Sequence, residues 1–141
     1  MSSLLKQIAA NVPKLTINYM CIQQCNMKCK YCYSTFQDEP FGNKKGLKND
    51  EAVQLIRMLK DSELFNKITF AGGEPFLRGD IVDIVKEAKD LGLLTSVVTN
   101  AFASETKRFE KALQFVDQLA VSFDSGSTET RQKIGRGFNG K

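Results

Sequence analysis

All four cysteines of the chain lie between positions 21 and 32, and the last three, Cys25, Cys29 and Cys32, follow a Cys-x3-Cys-x2-Cys spacing. Thiolates spaced this way on a loop can converge on one face of a small inorganic cube. A structural zinc site normally takes four protein ligands, often as two separated pairs, and this sequence has neither a second pair nor any histidine. Three thiolates on a four-iron cluster leave one iron open, which lets a 4Fe–4S cluster bind a small molecule as well as carry an electron. The competing reading is three cysteines without metal. Cys21 stands outside the spacing and reads as a small buried hydrophobe. Disulfides tie together distant segments of secreted chains, so thiols crowded into one segment point to a reducing, cytoplasmic compartment. The absence of histidine also removes Ser-His-Asp triads and imidazole bases.

Other residues able to do chemistry sit just after apolar runs. Gly72-Gly73-Glu74-Pro75 offers close backbone approach and a carboxylate that can accept from an ammonium. Ser96, Thr99 and Asn100 end one run, and Ser122 and Asp124 end another. Such groups can bind ribose hydroxyls, although turn formation and helix capping use the same residue types.

The elements that would position them alternate. Strands are expected at residues 14–20, 67–71, 94–99 and 118–123, each with apolar or alternating character. Between them, Asn49 reads as the cap of a helix carrying Ala52, Val53, Leu55, Ile56 and Leu59. A second helix spans 80–91, with Gly92 as its stop. Ser104 starts a third with Phe109, Ala112, Leu113 and Val116, and Ser127 opens a short one ending at Gly135. Residues 21–46 form a loop long enough to be functional. Alternation of this kind gives an α/β fold with a parallel sheet, whose chemistry gathers beyond the strand C-termini. The cysteine loop, Gly72-Gly73-Glu74, Asn100 and Asp124 all fall on that one rim.

The chain has 141 residues, 42% hydrophobic and 26% charged, with a net charge of +4. Its Lys and Arg residues are dispersed, as on a solvated surface, so no nucleic-acid partner is expected. No apolar run approaches the roughly 18 residues a membrane span requires, and Leu4, Leu5, Ile8 and Ala9 fit a short amphipathic helix packed on the domain.

The cysteine spacing resembles that of the radical S-adenosylmethionine (SAM) enzymes. Further residues resemble the viperin-like antiviral nucleotide dehydratases within them. They are Asn18-Tyr19, Gln24-Cys25-Asn26-x-Lys28-Cys29, Lys67-Ile68-x-Phe70-x-Gly72-Gly73-Glu74-Pro75-Phe76-Leu77 and Ser96-Val97-Val98-Thr99-Asn100. Ala120-Val121-Ser122-x-Asp124-Ser125 and Ile134-Gly135-Arg136-Gly137 with Lys141 complete the set. The resemblance implies the N-terminal part, about four βα units, of a partial (β/α)6 barrel, with residues 1–141 a C-terminally truncated core domain. It implies a 4Fe–4S cluster on Cys25, Cys29 and Cys32, and S-adenosylmethionine bound by Tyr31, Gly72, Gly73, Glu74, Ser96, Asn100, Ser122 and Arg136. Tyr31 would lie near adenine, Glu74 would meet the amino group, Ser122 the ribose and Arg136 the carboxylate. Asn18 and Lys67 would face a nucleoside triphosphate such as CTP, dehydrated to its 3′-deoxy-3′,4′-didehydro form in antiviral defence. The electron donor would be a flavodoxin or ferredoxin. Thr69 and Ala71 depart from the larger polar residue and the serine expected at those strand positions. Another radical SAM enzyme, a peptide maturase or a cofactor-biosynthesis enzyme, and a non-catalytic cluster-binding fragment are the alternatives.

Overall fold

A computed structural model describes residues 13–33 and 46–136. Four strands, β1 (Leu15–Ile22), β2 (Phe65–Gly72), β3 (Leu94–Thr99) and β4 (Gln118–Val121), form one parallel sheet in the order β1-β2-β3-β4. Between and after them lie helices α1 (Asn49–Asp61), α2 (Ile81–Asp90), α3 (Lys107–Leu113) and α4 (Thr128–Lys133), with a 3-10 turn at Pro75–Leu77. The expected amphipathic helix near Leu4 and Leu5, residues 34–45 of the long loop, and Gly137 and Lys141 lie outside the described residues.

Sequential strand order separates this sheet from the doubly wound kind, in which the order reverses midway and helices cover both faces. Here α1, α2 and α3 supply Ala52, Ile56, Ile81, Ile84, Val85, Ala88, Phe109 and Ala112 to one core. That core also takes Cys21, Ile68, Phe70 and Val97 from the strands, with Ile17 and Tyr19 packed against it. Because side chains alternate along a strand, the intervening residues point to the other face. Register places Asn18, Thr69, Ser96 and Gln118 side by side across all four strands there. Helices on the outside and a polar row on the inside are the arrangement of a barrel wall.

Local chemistry shifts several expected boundaries. Asn49 is the first residue of α1 rather than its cap; Lys48 takes the cap position, and Glu51 accepts from the Lys48 N–H at 2.7 Å. Helix α3 begins at Lys107, not Ser104. Thr106 has the extended cap conformation and its hydroxyl accepts from Phe109 N at 3.2 Å, so residues 101–105 remain as turns. Val116 falls beyond the helix. Strand β4 ends at Val121, two residues before the expected limit, where the Ser122 carbonyl turns to accept from Arg136 at 2.8 Å. Among the described residues, no helix is long and apolar enough to cross a membrane.

Candidate functional site

The cysteine loop begins where β1 emerges from the core, and its shape is set by backbone contacts with two distant segments. On one side Gly73 N donates to Ile22 O and Glu74 N to Gln24 O, both at 2.8 Å. A Cβ on Gly72 would fall 2.2 Å from Ile22 O, and one on Gly73 would fall 2.0 Å from Gln24 O. The glycines are therefore needed for contact with the loop itself. On the other side Lys28 N and Lys30 N donate to Gly135 O and Ile134 O. Within the loop, Cys32 N donates to Cys29 O, Met27 N approaches the Cys25 sulfur at 3.4 Å, and the Met27 side chain is buried beneath the thiols.

Glu74 differs from its expected role. Its side chain is fully buried, with its oxygens accepting from Phe76 N (3.1 Å), Thr99 Oγ1 (2.7 Å) and Asn100 N (2.7 Å). The carboxylate thus fastens the end of β2 to the end of β3, and it faces protein donors rather than the rim. Asn100, so placed, donates from its amide to Asn26 Oδ1 at 2.9 Å. At the end of β4, Arg136 donates to Ser122 O, pairs with Asp124 at 2.6 Å and reaches Tyr31 Oη at 3.4 Å. The partner of Asp124 is thus a guanidinium from the segment after α4.

These contacts enclose a cavity of about 230 Å³ lined by all three cysteines together with Tyr31, Gly72, Gly73, Asn100, Ser122 and Arg136. Met27, Tyr33, Ala71, Val98 and Thr99 complete its wall, and sequence alone had not singled out the first four for it. Ser96 is not part of this lining; it is buried one register row further from the rim, beside Thr69. Asn18 and Lys67 also lie off the cavity, on the inner face, where Lys67 Nζ donates to Gln118 Oε1 at 2.6 Å.

Cys21, Cys25, Cys29 and Cys32 are all free thiols. Burial pushes Cys25 up, partly offset by Met27 N; burial also pushes Cys29 up, opposed by the Arg136 guanidinium. Cys21, inside the core, is pushed up to about 12 by burial and stays a neutral thiol. Among the described residues, no three of Cys, Asp and Glu meet closely enough to hold one metal ion. A cluster makes a different demand, since each thiolate binds its own iron at a separate corner. The three free thiols line one cavity, the sharing of a wall that such a cluster would require.

The family model described as the radical SAM superfamily matches residues 19–140. The chain belongs to the radical SAM superfamily. Among its relatives, the S-adenosylmethionine-dependent nucleotide dehydratase of Lacinutrix mariniflava is 39% identical over 128 residues, covering 89% of this chain and 27% of the relative. The S-adenosylmethionine-dependent nucleotide dehydratase RSAD2 of Oncorhynchus mykiss is 37% identical, covering 90% of this chain and 36% of the relative. A GTP 3′,8-cyclase of Limosilactobacillus fermentum is 34% identical, covering 82% and 35%. This radical SAM chain therefore spans between about a quarter and just over a third of the length of these relatives. The fold is also that of SuiB from Streptococcus suis, with a TM-score of 0.69 at 19% identity, over 86% of this chain and 27% of SuiB.

Proposed function

We propose that this chain is the cofactor-bearing N-terminal part of a radical SAM nucleotide dehydratase, with Cys25, Cys29 and Cys32 as ligands of a 4Fe–4S cluster. The observation that carries this is the cavity at the strand C-termini, where the three free thiols share one wall with Gly72, Gly73, Asn100, Ser122 and Arg136. The nucleotide dehydratases among the relatives give the reaction class.

When bound, the reduced cluster supplies the electron that splits S-adenosylmethionine into methionine and an adenosyl radical able to take hydrogen from a ribose C4′. The chain's own residues bind and orient. Met27 and the Gly72-Gly73 backbone form the floor beside the thiols. Tyr31 offers an aromatic surface for adenine, Ser122 and Asn100 offer polar groups for the ribose, and Arg136 offers a guanidinium for the carboxylate. Glu74 acts from behind, holding Asn100 in place through Asn100 N. Asn18 and Lys67 lie on the inner face, away from the thiols, and are suited to a nucleoside triphosphate. An electron donor such as a flavodoxin or ferredoxin and a cytoplasmic location complete the proposal.

The test is anaerobic reconstitution with iron and sulfide, followed by incubation of the protein with dithionite, S-adenosylmethionine and each of the four ribonucleoside triphosphates. In a protein extended to the length of these relatives, mass spectrometry should find a nucleotide lighter by one water, whereas the 141 residues alone should give only 5′-deoxyadenosine. Cys25→Ala, Cys29→Ala and Cys32→Ala should each lose most of the iron, and Cys21→Ala should keep it. Loss from Cys21→Ala equal to the others would reassign the ligands. A cyclised GTP product in place of a dehydrated nucleotide would move the reaction class to that of the cyclase relative.

A further inference from the structure

The second clasp on the cysteine loop comes from the segment after α4, which Arg136 also anchors through Asp124 and Ser122 O. Helix α4 has six residues and none of them is buried. It ends at Lys133 with Ile134 as its C-cap, and the chain then turns through Gly135 with φ +80°. The Gly135 and Ile134 carbonyls accept from Lys28 N at 3.1 Å and Lys30 N at 3.0 Å, so the two bonds bracket Cys29. A Cβ on Gly135 would lie 1.9 Å from Lys28 O, 2.7 Å from Lys28 C and 3.3 Å from Cys29 Cα. All three neighbours are backbone atoms, so no side chain can swing aside to make room. With any residue but glycine, the segment and the loop must separate. Its φ of +80° also favours glycine, since a residue with a Cβ is strained there.

We propose that Gly135 is a positioning residue of the cluster site, whose missing side chain lets the backbone of residues 134 and 135 press the loop into the shape that presents Cys29. The proposal rests on Cys29 being a cluster ligand. Gly135 touches neither cofactor nor substrate; it acts through the loop.

Gly92 and Gly126 provide the controls. Gly92 has a similar φ of +77°, but its Cβ would meet only the end of the Lys60 side chain at 3.7 Å, and a Cβ on Gly126 would meet nothing within 4 Å. Gly92→Ala therefore carries the backbone strain without the close approach. Iron and sulfide per chain are measured after anaerobic reconstitution of Gly135→Ala, Gly92→Ala, Gly126→Ala and Cys29→Ala, with circular dichroism on each. Gly135→Ala should bind iron about 10- to 100-fold more weakly, the range for groups that orient metal ligands, while both glycine controls bind normally. In the metal-free protein, iodoacetamide should label Cys29 faster in Gly135→Ala and leave the labelling of Cys21 unchanged. Lys28→Pro removes one clasp donor from the exposed loop side and serves if Gly135→Ala loses its dichroism; it too should lose iron. Normal iron in Gly135→Ala, or in Lys28→Pro if that variant stands in, overturns the proposal. Normal iron in Cys29→Ala instead overturns the ligand assignment on which it rests.

Discussion

A carboxylate removed from water is costly unless its oxygens are hydrogen-bonded, and Glu74 satisfies that condition with three donors from three positions. Replacing it with Gln turns one acceptor into a donor facing donors. Glu74→Gln should therefore lower the stability of the metal-free protein by roughly 1–3 kcal/mol, the scale of a disrupted buried hydrogen bond to a charged group, as read by urea unfolding. A residue that merely gripped the cofactor would weaken S-adenosylmethionine binding and leave unfolding unchanged. Cys21 gives a pH signature. Its folded value is raised from 9.0 to about 12, so the folded state keeps a proton that the unfolded state releases. That contribution is intact below pH 9 and is lost as pH climbs from 9 towards 12. Unfolding curves above pH 9 should fall less steeply for Cys21→Ala than for the native chain. That Asn100 and Ser122 would lie on one rim was readable from their types and their places after strands, whereas Tyr31 came only with the resemblance. The inward turn of Glu74 was not, because a carboxylate looks the same in sequence whether it meets an ammonium or three peptide N–H groups. The contact of Gly135 was equally hidden, since the Lys28 N–H that its carbonyl accepts from lies on a loop remote in sequence.

At the level of elements, periodicity placed all four strands and the helices between them, because each apolar face repeats with the period of its structure. Helix starts were less legible. Ser104 and Thr106 are both acceptable caps by residue type, and only the extended backbone at Thr106 decides between them. Thr106→Ala should cost about 1 kcal/mol, the usual worth of a cap hydroxyl, and Ser104→Ala nearly nothing; thermal unfolding of the two variants tests this. Arg78 shows another link that sequence leaves obscure. Its buried guanidinium grips Asp80 through Nε and Nη2 at 2.7 and 2.9 Å and donates to Cys21 O at 2.8 Å, tying the turn before α2 to the end of β1.

For the molecule as a whole, the two faces of the sheet have opposite characters. Helices cover the outer face of β1, β2 and β3. Along β4 and just beyond it, Leu119, Val121 and Phe123 keep substantial exposure, and the thiol cavity lies at the strand C-termini. A radical site needs water and stray hydrogen donors kept out if its chemistry is to reach one chosen bond. These 141 residues alone should therefore cleave S-adenosylmethionine slowly and without coupling, giving 5′-deoxyadenosine but no altered nucleotide by mass spectrometry. Efficient coupling from this chain would show that the wall described is already sufficient.

The bond between Arg136 and Tyr31 joins residues 105 apart, and the carbonyls gripping Lys28 and Lys30 come from the same late segment. During synthesis the cysteines leave the ribosome early, and the segment that shapes their loop leaves much later. A nascent chain halted before residue 134 would carry every thiol in a loop still free to change shape. Metal delivered then would find ligands without a mould, whereas small zinc modules draw their fold from the ion itself. On the proposed ligand assignment, iron loading should follow the folding of residues 134–136 rather than drive it.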